Sequence, residues 1–157
     1  MPRTGRGFTL LELLVALGVA GIMLALAAIN LFPDEHRTLR EEGERLAFLL
    51  EQAAASARAG GQPLAWSCSG REHRFWRRNA QGEWQRVEDD PLLHARTLPA
   101  GISLQWHTRD GRPAQVPELL VLSPETQASV FELRLSSASA TLRLVGNGLG
   151  RVQVMAP

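Results

Sequence analysis

The chain falls into three stretches with different spacing of apolar residues. From Leu13 to Leu31 it reads LLVALGVAGIMLALAAINL, nineteen residues without a charge and with Asn30 as the only strongly polar one. At about 1.5 Å rise per residue such a helix covers roughly 28 Å, close to the roughly 30 Å of bilayer hydrocarbon. After Pro33, which begins a new turn or bends the helix, Leu39, Leu46, Leu50, Ala53 and Ala57 recur at sums of three and four. That period predicts a helix with one buried stripe, and Glu41, Glu42, Glu44 and Arg45 fall mostly off it. Gly60-Gly61 then supplies a stop, because glycine accepts the left-handed conformation in which helices commonly end. One long helix from Phe8 to about Arg58 is the economical reading. No proline lies between Phe8 and Phe32, so a kink there has no Pro to cause it.

Beyond Gly61 the period changes to two. Phe75 and Arg77 alternate with Arg74, Trp76 and Arg78; Ile102, Leu104 and Trp106 alternate with Ser103, Gln105 and His107. Such alternation predicts strands with one buried face. Further strands are expected at Leu64 to Cys68, Trp84 to Val87, Leu119 to Leu122, Val130 to Leu135, Thr141 to Val145 and Arg151 to Met155. Asn79 to Gly82, Asp110-Gly111, Ser123-Pro124 and Asn147-Gly148 read as turns. The expected fold class is therefore α+β, with a long N-terminal helix packed by its stripe on an antiparallel β domain of one curled or two packed sheets.

Charge gives the first stretch a direction. All seventeen basic residues are Arg, and without Arg3 and Arg6 the rest of the chain holds one more acid than base. Those two arginines precede the apolar run, and Asp34 and Glu35 follow it. The positive-inside bias then puts Met1 in the cytoplasm and everything after Pro33 outside. A chain of 157 residues, 45% of them apolar, holds one membrane segment and one further domain of roughly 100 to 120 residues. Its net charge of +1 shows no bulk attraction to nucleic acid or anionic lipid. Cys68 is the only cysteine, so the fold is held by its core and not by a disulfide within the chain, and the thiol is expected to be buried.

Ala25-Leu26-Ala27 behind an apolar stretch resembles a signal-peptidase site, but Glu12 argues against a plain secretory signal. An acid costs about 2.5 to 3.5 kcal/mol at a membrane-helix centre and less near the interface, so a retained one is usually kept for a partner. The segment Arg6-Gly7-Phe8-Thr9-Leu10-Leu11-Glu12-Leu13-Leu14 resembles the cleavage and methylation motif of type IV pilin-like precursors. The C-terminal half adds Phe75-Trp76, Trp84, the segment from Pro91 to Gly101 and Asn147-Gly148-Leu149-Gly150-Arg151-Val152. These are similar to the H-type minor pseudopilins of type II secretion, the GspH/FimT group.

That resemblance implies a pilin-like fold and three parts: a leader over 1–7, a transmembrane half-helix over 8–32, and a periplasmic domain over 33–157 whose amphipathic helix reaches about residue 59. It implies that a prepilin peptidase cuts between Gly7 and Phe8, that the new amine of Phe8 is methylated, and that Glu12 meets the N-terminal amine of a neighbouring subunit. An uncompensated buried carboxylate needs such an opposite charge. The implied partners are other pseudopilins, both the major subunit and the minor tip subunits, together with the peptidase and the inner-membrane assembly platform. The implied place is the bacterial inner membrane, single-pass, with the C-terminal domain in the periplasm. The implied role is structural: a subunit of a pseudopilus that exports folded proteins across the outer membrane. A type IV pilus minor pilin of the FimT kind, acting in pilus assembly or DNA uptake, is the alternative.

No other constellation points to chemistry. No nucleophile stands with a base, no spacing suits a metal and no loop cradles phosphate, so neither catalysis nor a cofactor is expected. His36, His73, His94 and His107 lie in separate elements and read as surface residues. Glu88-Asp89-Asp90 lacks an alternating ligand pattern for calcium and reads as a solvated turn. Arg71, Arg74, Arg77 and Arg78 interleave with Phe75 and Trp76, a composition seen in single-strand nucleic-acid binders. In a strand, however, Arg74, Trp76 and Arg78 share one face, which reads as solvated arginines around a packed aromatic. Gly146 to Gly150 opens no helix and reads as a hairpin turn.

Overall fold

The structure, a computed structural model, describes residues 9–31, 35–113, 119–124 and 129–156. It divides into two units, one up to Asp34 and one from Glu35 onward. The first holds α1 (Leu10–Leu31), the second α2 (Glu35–Gly60) and all the strands. The expected single helix is described in these two stretches, and residues 32–34 between them lie outside the described residues.

Helix α2 buries the predicted stripe. Leu39, Leu46, Leu50, Ala53 and Ala57 are each no more than 2% exposed, and Gly43, Ala47, Leu49 and Ala54 complete the face. Each leucine so covered is worth about 2 kcal/mol over leaving it in water. Gly43 lets the helix come close to the sheet beneath it: a methyl there would sit 3.3 Å from Leu142 Cδ1. The helix ends at Gly60, and Gly61 takes the left-handed conformation at φ +62°, the expected stop.

Among the described residues ten strands form two antiparallel sheets, so the β domain has two sheets and not one curled sheet. The first sheet runs β3 (Trp84–Arg86), β2 (Glu72–Arg78), β1 (Leu64–Ser69), β7 (Leu120–Leu122), with β4 (Arg96–Thr97) also paired to β2. The second runs β10 (Val152–Met155), β9 (Thr141–Gly146), β8 (Phe131–Ser136), β5 (Ser103–Arg109), β6 (Arg112–Pro113). All eight expected strands are present within a few residues of their expected bounds; β4 and β6 are additional. Asp110 and Gly111, at φ 49° and 75°, make the tight turn between β5 and β6. The Ser123-Pro124 turn runs into 125–128, outside the described residues.

Helix α2 covers both sheets, and three of its acidic side chains bond to the strands and loops beneath it. Glu35 accepts from Ser139 Oγ at 2.7 Å, Glu42 pairs with Arg96 at 2.8 Å, and Glu51 accepts from the backbone N–H of Val152 at 2.8 Å. Arg58 lies against Gly150, its Nη1 2.7 Å from where a Cβ would stand. The Glu51 contact also occupies a donor on the outermost strand of the second sheet, where an open edge invites wrong pairing.

A line of rings joins the two sheets. Phe131 meets Trp106 edge-on at 6.4 Å, Trp106 meets Trp66 at 5.5 Å, and Trp66 leads to His73 and on to Phe75 at 6.3 Å each. His73 corrects the expectation of a surface histidine: it is 2% exposed, on the same face of β2 as Phe75. Burial, with further contributions from Arg96, Arg45 and His94, pushes its pKa down to about 4.

The unfolded chain therefore binds a proton on His73 between about pH 6.5 and 4 that the folded chain refuses. The histidine's neutral burial supports the fold fully above pH 6.5, and that support is lost as the pH falls to 4. The loss is expected to be roughly 3 kcal/mol. Chemical denaturation across this window should show it, and His73→Phe should flatten the slope; an equal slope in both proteins would assign the acid sensitivity elsewhere.

Candidate functional site at the start of the first helix

Helix α1 begins on a cap that Thr9 supplies. The Thr9 hydroxyl accepts from the backbone N–H of Glu12 at 3.3 Å, and the Thr9 carbonyl accepts from the N–H of Glu12 and of Leu13 at 3.1 and 3.2 Å. Thr9 is thus the N-cap and Glu12 the third helical residue, the spacing of a capping box. This was legible as Thr-x-x-Glu, a pattern the motif reading absorbed without separating. Glu12 is also the only charged residue of α1, and a carboxylate in the first turn faces the positive end of the helix dipole.

From Leu13 to Ala25 the helix is apolar on every face, and its side chains are exposed. Leu10 is 80% exposed, Leu24 71%, and each large apolar residue between them is at least half exposed. A helix of this kind needs an apolar surrounding. Among the described residues no helix is long and apolar enough to cross a membrane; the described side chains of α1 end at Ala25, whereas the uncharged run goes on to Leu31. Gly7 and Phe8 lie outside the described residues, so of the three sequence-predicted site residues the structure places Glu12 alone.

The other candidates are scattered. Burial pushes the Cys68 thiol up to about 12, which keeps it protonated and unreactive. His36, His94 and His107 are exposed. Among the described residues no three His, Cys, Asp or Glu gather as metal ligands. Asp90 accepts from the N–H groups of Leu92 and Leu93, and hydrogen bonding from Arg77 holds the exposed Asp89 below the usual carboxylate range. Asn147 closes the glycine-rich segment as a turn between β9 and β10, its Oδ1 accepting from Leu149 and Arg151.

The arginines around β2 mostly answer to partners within the chain. Arg71 donates to the Leu98 carbonyl at 2.7 Å, Arg74 pairs with Glu72, Arg77 pairs with Asp89 at 3.1 Å, and Arg78 lies over the Trp84 ring at 5.2 Å. Trp84 and Arg86 were missed as members of this group. The Asn79 to Gly82 turn carries the signal for them, since a hairpin there aligns β3 with β2 and brings alternate residues to one face.

Residues 3–28 match the prokaryotic N-terminal methylation motif. No curated protein matches the chain. Two structures of the minor pseudopilin EpsH from the type II secretion system of Vibrio cholerae resemble it. One has TM-score 0.65 at 17% identity, over 77% of this chain and 95% of that one; the other has TM-score 0.62 at 19% identity, over 75% and 96%. The solution structure of E. coli GspH gives TM-score 0.61 at 20% identity, over 76% and 89%. The fold is accordingly pilin-like, a helix packed on two antiparallel sheets.

Proposed function

We propose that the chain is a minor pseudopilin, a non-enzymatic structural subunit of a type II secretion pseudopilus that supports export of folded proteins. The observation that carries this reading is a prepilin methylation motif at the head of a chain with the fold of EpsH and GspH. In this reading residues 1–7 are a cytoplasmic leader, 8–32 anchor the chain in the inner membrane and later enter the filament, and 33–157 form the periplasmic domain. A prepilin peptidase cuts between Gly7 and Phe8, and Phe8 is methylated on its new amine. The exposed apolar surface of α1 is covered first by lipid and then by other pseudopilins. Glu12 enters that surface only if a cation meets it, and the Phe8 amine of the next subunit supplies one; a buried charge left alone costs about 3 to 5 kcal/mol.

Glu12→Gln separates this role from capping, because glutamine serves equally well in a capping box but carries no charge. The variant is expected to be processed like the parent yet to support export at least about tenfold less. Export at the parental level would leave Glu12 as a helix-start residue and nothing more. The secretion role itself is tested by removing the chain from its host. Lost export with surface pili and DNA uptake intact supports it, and the opposite pattern moves the chain to a type IV pilus.

A further inference from the structure

The outward face of the first sheet carries a pattern unrelated to the filament helix. Pairing of β2 with β3 sets Trp76 opposite Arg86 and Arg78 opposite Trp84. Tryptophan and arginine therefore alternate both along and across the two strands, with directly opposed side chains about 5 Å apart at Cβ. Both rings are held in advance. The Trp76 indole donates to Ser67 Oγ at 2.8 Å and so leans across β1, where Ala65, although on the outward face, is 0% exposed. Trp84 lies beneath the Arg78 guanidinium at 5.2 Å. The neighbouring Arg74 and Arg77 are occupied by Glu72 and Asp89. The Arg86 side chain is exposed and has no hydrogen bond or ion pair among the described residues.

We infer that this checkerboard of Trp76, Arg78, Trp84 and Arg86 is a docking surface for a carboxylate-bearing segment of another protein, an acidic peptide with apolar residues between its charges. A guanidinium fork takes a carboxylate through two parallel hydrogen bonds, and the flat indoles beside it take the apolar neighbour. Arg and Trp are the residue types in which binding energy concentrates, and rings fixed beforehand lose little freedom on binding. A nucleic-acid strand suits the face less well. It needs a continuous basic groove, whereas on this face Arg74 is taken up by Glu72 and the whole chain carries only +1. The inference rests on the geometry of this face and not on the secretion role, so either can fail alone.

The test uses the full chain in uncharged detergent micelles with its tryptophans labelled at the indole nitrogen. Trp66 and Trp106 are buried and serve as internal references. Titration with a short capped peptide alternating aspartate and leucine is expected to move the Trp76 and Trp84 indole signals to saturation and to leave the other two in place. Arg86→Ala should weaken that binding about three- to tenfold. No movement, equal movement with an asparagine-for-aspartate peptide, no loss in Arg86→Ala, or tighter saturation by oligothymidylate would each overturn the inference, the last in favour of nucleic acid.

Discussion

A chain carrying Gly7→Leu is expected to accumulate uncut, with its leader attached and export abolished. On the proposed function, the bond between Gly7 and Phe8 is the one whose hydrolysis turns the Phe8 nitrogen from a neutral amide into an amine. A side chain at position 7 blocks the peptidase, and two consequences follow. Arg3 and Arg6 stay joined to the helix and hold its start at the cytoplasmic face, since drawing charge into hydrocarbon costs several kcal/mol. Glu12 of a neighbouring subunit meets no cation, which at about 3 to 5 kcal/mol lowers its entry into a filament by at least about a hundredfold. Intact-mass measurement reads the first effect directly, as a chain heavier by seven residues and lacking the methyl group. Gly7→Ala, with one methyl to accommodate, should be cut slowly but not blocked. A Gly7→Leu chain that matures to N-methylated Phe8 would remove the peptidase from the account and the amine–Glu12 pairing with it.

On the proposed function position 7 is read by an enzyme, so its signal is a local string and not a period. The elements themselves were legible for the opposite reason. The stripe from Leu39 to Ala57 and the alternation around Phe75 and Leu104 each report a buried face, and the burial falls where they place it. Strands β4 and β6, at two residues each, are too short to show any alternation. His73 was misplaced by residue type: carrying the period of β2 two residues back from Phe75 puts it on the core face, but a histidine among Arg71, Glu72 and Arg74 looks solvated. The contacts that seat α2 were invisible, because Glu35 with Ser139 and Glu51 with Val152 span more than a hundred residues. Periodicity says which face is buried; it says nothing of which distant element covers it. The pairing of Trp76 with Arg86 lies between these cases, since a hairpin turn fixes it once the turn is recognised.

The second large effect is expected at a glycine that reads in the sequence as part of a turn. Gly146 closes β9 directly opposite Phe131 of β8, and a Cβ placed on it would stand 2.1 Å from Phe131 Cε1 and 2.4 Å from Cζ. The ring lies flat across the glycine, the arrangement by which an aromatic covers a bare stretch of strand. It has nowhere else to go, being 5% exposed and packed edge-on against Trp106, which in turn abuts Trp66 in the other sheet. Gly146→Ala must displace that ring, and displacement disturbs the line of aromatics that joins the sheets. The expected cost is about 3 kcal/mol or more, a fall of roughly 10 °C in the thermal midpoint. Near-ultraviolet circular dichroism of the tryptophans in the full detergent-solubilised chain would follow it. Phe131→Leu alone should cost less, about 1 to 2 kcal/mol, since it shrinks the ring without forcing a clash. The double variant decides the mechanism: if the clash is the cause, adding Phe131→Leu to Gly146→Ala restores stability, because the branched side chain leaves room for the new methyl. Costs that simply add would mean that Gly146 is needed for its backbone and that the ring above it is incidental.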